Sequence, residues 1–178
     1  VLDLLEKYFD SVDNLLLGGG LANTFIAAMG GKTGKSEIEK NRLPLARDIL
    51  DRAHRRNLKL MVPADCVTDL DAAPGEPDNL TPHARSIDIG QNTLGRYKQV
   101  IGKSGTILWY GHMGVTGKDD GTAGIARAIA GSAAYSVAVE HEATRAVREV
   151  GLEKGFSHVC TGESASASML EGNSLPGL

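Results

Sequence analysis

The sequence predicts an α/β fold, in which a doubly wound, mostly parallel sheet carries helices on both faces in a Rossmann-like, three-layer arrangement. Short apolar stretches typical of strands alternate with stretches of helical periodicity along the 178 residues. Parallel strands need crossover connections, and helices of this length provide them. Three predicted strands run into glycine-containing loops, and ligands of such sheets bind at the carboxyl ends of strands.

Each element is predicted from its own pattern. Apolar residues at helical spacing predict helices at 1–9, 21–29, 43–56, 93–103, 122–130, 142–150 and 165–171. Short apolar runs predict strands at 13–18, 58–63, 106–109, 135–139 and 157–160. Pro44 favours a helix start, and Gly30 favours the end of the preceding helix. The segment 69–83, rich in proline and acidic residues, is predicted to be a surface loop.

Composition narrows the class of protein. Apolar residues make up 42% and charged residues 23%, which is typical of a globular domain and excludes disordered and fibrous proteins. The net charge of −3, with acids and bases interspersed, indicates that the chain does not bind nucleic acid. No apolar run approaches the ~18 residues of a membrane span, so no membrane insertion is expected.

The two cysteines and the first residues bear on localisation. Cys66 and Cys160 have neither CxxC spacing nor the density of a disulfide framework, and free cysteine is most often buried. We expect an intracellular reducing compartment, either the cytoplasm or an organelle matrix such as the mitochondrial one. The first ten residues lack the pattern of a signal peptide. The missing initial Met suggests that some of the protein lies upstream.

The segment Gly30-Gly31-Lys32-Thr33-Gly34-Lys35-Ser36 invites two interpretations. A phosphate-binding loop would need a glycine five residues before Gly34 and a strand before the loop, but Met29 occupies that position and a helix is predicted there. The favoured alternative is a capping box, in which Ser36 and Glu39 cap the start of a helix.

Two other patterns carry candidate chemistry. Gly18-Gly19-Gly20 lies between a strand and a helix, where it serves equally well as a ligand-binding loop or as a tight turn. Glu140-His141-Glu142 has no second His or Cys at ligand spacing. We therefore expect it to form the first turn of a helix, where acids are favoured, rather than a metal site.

Several short segments, taken in their order along the chain, carry a family resemblance. The segments are Gly18-Gly19-Gly20-Leu21-Ala22-Asn23-Thr24-Phe25, Gly34-Lys35-Ser36 with Glu39, Val62-Pro63-Ala64-Asp65, Ile87-Asp88-Ile89-Gly90, Trp109-x-Gly-x-Met-Gly-Val115, Gly121-Thr122, and Leu170-Glu171-Gly172 with Leu175-Pro176-Gly177. Together they resemble the C-terminal, nucleotide-binding domain of phosphoglycerate kinase.

The resemblance implies a domain organisation. Phosphoglycerate kinases join an N-terminal domain that binds 3-phosphoglycerate to a C-terminal domain that binds Mg-ADP or Mg-ATP, and closure brings the phosphates together. By this resemblance, residues 1–178 form a single C-terminal-like domain, and the N-terminal substrate domain is absent. The chain begins after the family's Gly-Gly-Ala-Lys segment, so two lysines that contact phosphates are missing.

The nucleotide site implied by the resemblance is kept in part. Its residues would be Gly19, Gly20, Ile87, Gly114, Val115, Thr161 and Gly162. The purine would lie against the glycines, with Ile87 and Val115 as apolar walls. Glu37 stands where the family has leucine and would weaken the slot, because a carboxylate there is costly to desolvate. The family's ribose-binding glutamate falls near Gly117 in a shorter loop, so that contact is expected to be lost.

The phosphate end implied by the resemblance has changed more than the nucleoside end. The altered positions are Tyr110, His112, Glu142, Glu163 and Ser164. Tyr110 replaces an amide, and Glu142 replaces the Mg-binding aspartate without the three glycines of the family's loop, which makes Mg binding doubtful. Glu163 would occupy the amides at the start of the last helix, which cradle the phosphoryl group in the family.

These changes predict a pseudoenzyme, a phosphoglycerate-kinase-like domain that has lost phosphoryl transfer and serves as a structural or interaction module, such as a subunit of a larger assembly. One alternative is a diverged glycolytic phosphoglycerate kinase whose other half is missing or lies on another chain. A second is a non-catalytic domain that binds ADP or ATP. We also expect a protein partner on the former interdomain face, which includes the segment Leu175–Leu178.

Overall fold

The alternation of strands and helices is present in the computed structural model, which describes residues 2, 5–6, 9–70, 74–115 and 120–160. The strands are β1 (Asn14–Leu16), β2 (Lys59–Met61), β3 (Cys66–Thr68), β4 (Ser86–Ile89), β5 (Thr106–Tyr110), β6 (Tyr135–Val139) and β7 (His158–Val159). The helices are α1 (Gly19–Ala28), α2 (Leu43–Arg56), α3 (Gln91–Ile101), α4 (Asp120–Ala130) and α5 (His141–Glu149). Short 3-10 turns cover Phe9–Ser11, Lys40–Arg42 and Glu153–Gly155.

The strands pair in three small sheets. β1 and β2 are parallel, and β5, β6 and β7 form a parallel sheet in that order. β3 and β4 form an antiparallel pair. The predicted fold class is confirmed, because the structure is a mixed α/β fold whose parallel sheets are flanked by helices.

The chain forms two compact units. The first comprises Val1–Gly95 and Met113–Gly121, and the second comprises Arg96–His112 and Thr122–Leu178. In the first unit α1 packs on α2 around buried Phe9, Phe25 and Ile49. In the second, α5 packs on β5 and β6, and Val139 and Val147 are fully buried. Among the described residues, no helix has the length and apolarity to cross a membrane.

The predicted elements agree closely with the observed ones, apart from one pair of strands. Helix 43–56 and strand 135–139 have the predicted bounds, and the other described elements are displaced by a few residues. Strands β3 and β4 were not predicted from the apolar pattern, because each is three or four residues long and they pair across the proline-rich segment. The described part of 69–83 contains no helix or strand, as predicted. The predicted helix 165–171 lies outside the described residues.

Candidate functional site

The glycine turn after β1 is held tightly against a second loop. Gly18 is the N-cap of α1, and a Cβ at this position would overlap both the backbone and the side chain of Met113. Gly19 has a φ of +57°, a conformation that favours glycine, and its N–H donates to the Met113 carbonyl at 2.8 Å. Close approach to Met113 therefore explains Gly18, and the backbone conformation explains Gly19.

The same loop is bonded to β4. Val115 N donates to the Ile87 carbonyl at 2.8 Å, and Gly114 between Met113 and Val115 is buried. Two backbone hydrogen bonds thus connect the start of α1, the segment Met113–Val115 and the residue Ile87. The structure brings together Gly19, Gly20, Ile87, Gly114 and Val115, the five described residues of the expected nucleoside site, all within the first unit.

The segment around Ser36 has a different role from the predicted one. The capping-box prediction is wrong: residues 36–39 form no helix, and the Ser36 hydroxyl accepts a hydrogen bond from Ser86 N at 2.9 Å. Glu39 N donates to Thr24 Oγ1 at 3.0 Å, which connects the segment to α1. The segment is also no phosphate-binding loop, since a helix precedes it and no helix begins at its serine.

Two carboxylates position helices near this site, although sequence reasoning gave them no role. The Asp65 carboxylate accepts hydrogen bonds from Thr93 N at 2.7 Å, Thr93 Oγ1 at 2.6 Å and Asn92 N at 3.0 Å, in the first turn of α3. Burial opposes ionisation of Asp65, but these hydrogen bonds outweigh it, and the pKa of the carboxyl lies below its ordinary value. The buried Asp88 carboxylate likewise accepts from Gly121 N at 2.7 Å, at the start of α4.

The predicted phosphate-end residues lie at the carboxyl end of the second unit's parallel sheet. Tyr110, the last residue of β5, pairs in register with Val139, the last residue of β6. Tyr110 is half-buried, so a phenol occupies the position that the resemblance assigns to a small amide. The Nδ1 atom of His112, two residues further on, is buried and finds no hydrogen-bond partner within the described part of the chain.

Glu140 and Glu142 form the start of α5, as predicted. Glu140 is the N-cap of the helix, and its carboxylate accepts a hydrogen bond from Glu142 N at 3.0 Å. It does so at φ 76° and ψ 155°, a region that is essentially restricted to glycine. This is the place where the resemblance puts a run of glycines. A side chain of the protein thus occupies one of the backbone amides at the start of α5.

The Glu142 carboxylate is already paired with a cation of the protein. Its Oε2 atom lies 2.7 Å from Arg145 NH2, and Arg145 NH1 lies 3.1 Å from Glu149 Oε1. Across the described ranges, no group of three or more His, Cys, Asp or Glu side chains is arranged to hold a metal ion. The Glu142 oxygen next to Arg145 is therefore already engaged, and a cation bound to it would have to compete with the guanidinium.

Of the other residues singled out in the sequence, Cys160 is described by the structure and the rest are not. Cys160 is buried and free, and its N–H donates to the Ala138 carbonyl at 3.0 Å. The predicted contacts of Thr161, Gly162, Glu163 and Ser164 lie outside the described residues, as do Gly117 and Leu175–Leu178.

Sequence reasoning missed the charged partners in both units. Arg85 NH2 donates to Glu37 Oε1 at 2.9 Å, and Arg145 bridges Glu142 and Glu149. The second pairing carries a sequence signal, because the residues are three and four apart on one helix. The first carries none, since 48 residues separate its partners.

The comparisons with known proteins agree with the geometry. The family model for phosphoglycerate kinase matches residues 1–173. The chain is 38% identical to the phosphoglycerate kinase of Koribacter versatilis and 35% identical to that of Prosthecochloris aestuarii, each over 99% of this chain. It spans about half the length of these curated relatives, 47% and 48%.

Solved structures give the same result. The phosphoglycerate kinase of Coxiella burnetii superposes with a TM-score of 0.91 at 34% identity, over 97% of this chain and 47% of that one. The enzyme from Pyrococcus horikoshii superposes with a TM-score of 0.81 at 27% identity, over 98% and 47%. The motifs, the fold and the relatives agree, and the chain belongs to the phosphoglycerate kinase family.

Proposed function

We propose that this chain is a phosphoglycerate-kinase-family domain that has lost phosphoryl transfer, keeps the nucleoside end of the site, and serves as an interaction module. One observation carries the proposal: Glu142, at the family's Mg-binding position, forms an ion pair with Arg145 at 2.7 Å. Phosphoryl transfer depends on positioning and on stabilisation of developing charge, and the metal ion supplies much of that stabilisation.

The N-cap at Glu140 supports the same proposal. Its carboxylate accepts the hydrogen bond of an amide at the start of α5 and places negative charge there. An incoming phosphate would have to displace this carboxylate and would be repelled by it. Loss of one preorganised donor costs about 10²-fold in rate.

The nucleoside end has not been altered in this way. Gly19, Ile87 and Val115 belong to segments joined by backbone hydrogen bonds of 2.8 Å, so no ligand is needed to assemble them. A preformed, partly apolar site of this kind suits a flat purine. We therefore expect binding of ADP or ATP without transfer, and a protein partner rather than a second substrate.

Titration of the full chain with ADP tests this proposal. Because Arg145 already neutralises Glu142, ADP should bind equally well in excess EDTA and in millimolar Mg²⁺. Affinity at least tenfold higher with Mg²⁺ would contradict the role of Arg145. Arg145→Ala frees the Glu142 carboxylate and should make ADP binding depend on Mg²⁺, whereas the matched control Arg148→Ala, which removes the neighbouring ion pair with Glu153, should not.

A diverged, active phosphoglycerate kinase is the second candidate. It is favoured by the family match over residues 1–173 combined with coverage of only half of each relative. The chain should then transfer phosphate once it is mixed with the amino-terminal half of the Koribacter versatilis enzyme. Formation of ATP from 1,3-bisphosphoglycerate above about 1 s⁻¹, the low end of ordinary turnover, would establish this candidate and refute the first.

A further inference from the structure

An ion pair lies beside the glycine turn of the nucleoside site. A Cβ at Gly20 would come within 3.7 Å of the Glu37 carbonyl oxygen and 3.8 Å of the Glu37 Cβ. Glu37 Oε1 in turn accepts a hydrogen bond from Arg85 NH2 at 2.9 Å. Arg85 is two residues before Ile87 in the chain, and its guanidinium reaches the side chain of Glu37, which lies beside Gly20. Glu37 and Arg85 therefore adjoin the segments that would hold a purine.

Both members of the pair are held in place by their neighbours. Lys35 N donates to the Ala84 carbonyl at 2.8 Å, and Ser86 N donates to Ser36 Oγ at 2.9 Å. These bonds lie on both sides of Arg85 and immediately before Glu37.

The Arg85 backbone is further anchored to Asp69. Its N–H donates to Asp69 Oδ1 at 2.8 Å, and its carbonyl accepts from Asp69 N at 3.1 Å. Among the described residues, Glu37 accepts from the Arg85 guanidinium, and the Asp69 carboxylate is engaged by the Arg85 backbone amide. The pair presents one acceptor group and one donor group at a fixed place.

The ion pair with Arg85 changes the effect that Glu37 is expected to have on the purine site. An unpaired carboxylate would only weaken an apolar slot, but Arg85 balances its charge. The Glu37 side chain is 77% exposed and Arg85 is 36% exposed. An exposed ion pair adds little to stability, so stability alone gives no reason for this one. Its polar atoms remain accessible to a ligand.

We propose that Glu37 and Arg85 read the edge of the base and that the site prefers guanine nucleoside diphosphates to adenine ones. This inference rests on the proposed retention of the nucleoside end. Guanine presents two adjacent N–H donors, N1 and the exocyclic N2, to a carboxylate that only accepts. Its neighbouring O6 accepts from arginine, the commonest partner of that atom. Adenine offers one donor and places the acceptor N1 beside the carboxylate.

Calorimetric titration of the full chain with GDP, IDP and ADP tests the proposal one hydrogen bond at a time. IDP keeps N1–H and O6 but lacks the N2 amine, so the expected order of affinity is GDP, then IDP, then ADP. We expect GDP to bind at least about fivefold more tightly than ADP, the low end of discrimination by a good bidentate contact to a base.

Two substitutions assign the preference to Glu37. Glu37→Gln keeps the shape but replaces one acceptor with a donor, and it should bring the GDP and ADP affinities within about twofold of each other. Glu37→Leu, which restores the family residue, should make ADP bind more tightly than GDP. Glu6→Gln breaks a comparable exposed pair with Arg52, 3.1 Å apart, and should leave the preference unchanged.

The possible failures are distinguishable. Equal binding of GDP and ADP would overturn the base preference and leave the proposed nucleoside binding intact. A preference for GDP that survives Glu37→Gln would overturn the role of Glu37. If no purine nucleotide binds at millimolar concentration, the retained nucleoside end is wrong and the preference falls with it. Circular dichroism of each variant verifies that the fold is unchanged.

Discussion

Glu140 is held in a backbone conformation that glycine adopts and other residues rarely do, and replacing it with glycine tests whether this conformation is strained. Its φ of 76° and ψ of 155° place a Cβ in an unfavourable position. The same residue caps α5 through its carboxylate, 3.0 Å from Glu142 N. Glu140→Gly removes both the strain and the cap, whereas Glu140→Ala removes the cap alone.

The two contributions have different sizes. A non-glycine residue in this region costs about 1–3 kcal/mol. Glycine loses only a few tenths of a kcal/mol as an N-cap, and its greater freedom in the unfolded chain costs about 0.4–1 kcal/mol. The net effect of Glu140→Gly is therefore a stabilisation of about 1 kcal/mol. Glu140→Ala keeps the strain and loses about 0.5–2 kcal/mol of capping, so it should destabilise the protein.

Urea unfolding and thermal unfolding of the wild type and the two variants, both followed by circular dichroism, measure the two effects. Glu140→Gly should raise the free energy of unfolding and increase Tm by about 2–4 °C, whereas Glu140→Ala should lower both. If glycine destabilises the protein as much as alanine does, the backbone at Glu140 is not strained and the reasoning is refuted.

Further predictions concern the carboxylates that cap helices and one glycine within helix α3. Asp65→Asn should cost about 1–2 kcal/mol at pH 7, because charge-assisted hydrogen bonds are lost. The lowered pKa of Asp65 means that its contribution is present above about pH 4 and disappears as the pH falls through the folded value. Urea titrations at a series of pH values should therefore show a deficit of the variant that is constant above about pH 4 and shrinks as the pH falls further. Gly121→Ala should destabilise the protein by about 1–3 kcal/mol, because its Cβ would overlap the Asp88 carboxylate. Gly95→Ala, with nothing within 4 Å in helix α3, should stabilise it by about 0.5–1 kcal/mol in the same thermal unfolding assay.

Local pattern was sufficient to predict most of the fold. Helix 43–56 and strand 135–139 were predictable because their apolar residues recur at the period of the element they form. Strands β3 and β4 were not predictable in this way. Each is too short to show alternation, and what holds them is pairing with a partner that lies beyond a proline-rich segment.

The candidate site was predictable where one chain segment carries the function, and not where two segments share it. The glycines at 18–20 and the acids at 140 and 142 are recognisable from their own neighbourhoods. The pairing of Glu37 with Arg85 depends on a fold that brings residues 48 positions apart together. The prediction of a capping box at Ser36 was wrong for the same reason, because the Ser36 hydroxyl accepts a hydrogen bond from the backbone N–H of Ser86, 50 residues away.

The helix-capping carboxylates also bear on how the protein folds. Asp65 serves amides 27 and 28 residues further along the chain, and Asp88 serves one 33 residues away. Each helix start therefore becomes stable only after a long loop has closed, which couples helix formation to the docking of distant chain segments. Peptides that carry α3 or α4 alone should form little helix in water. Formation of α3 and α4 should accordingly coincide with tertiary assembly rather than precede it.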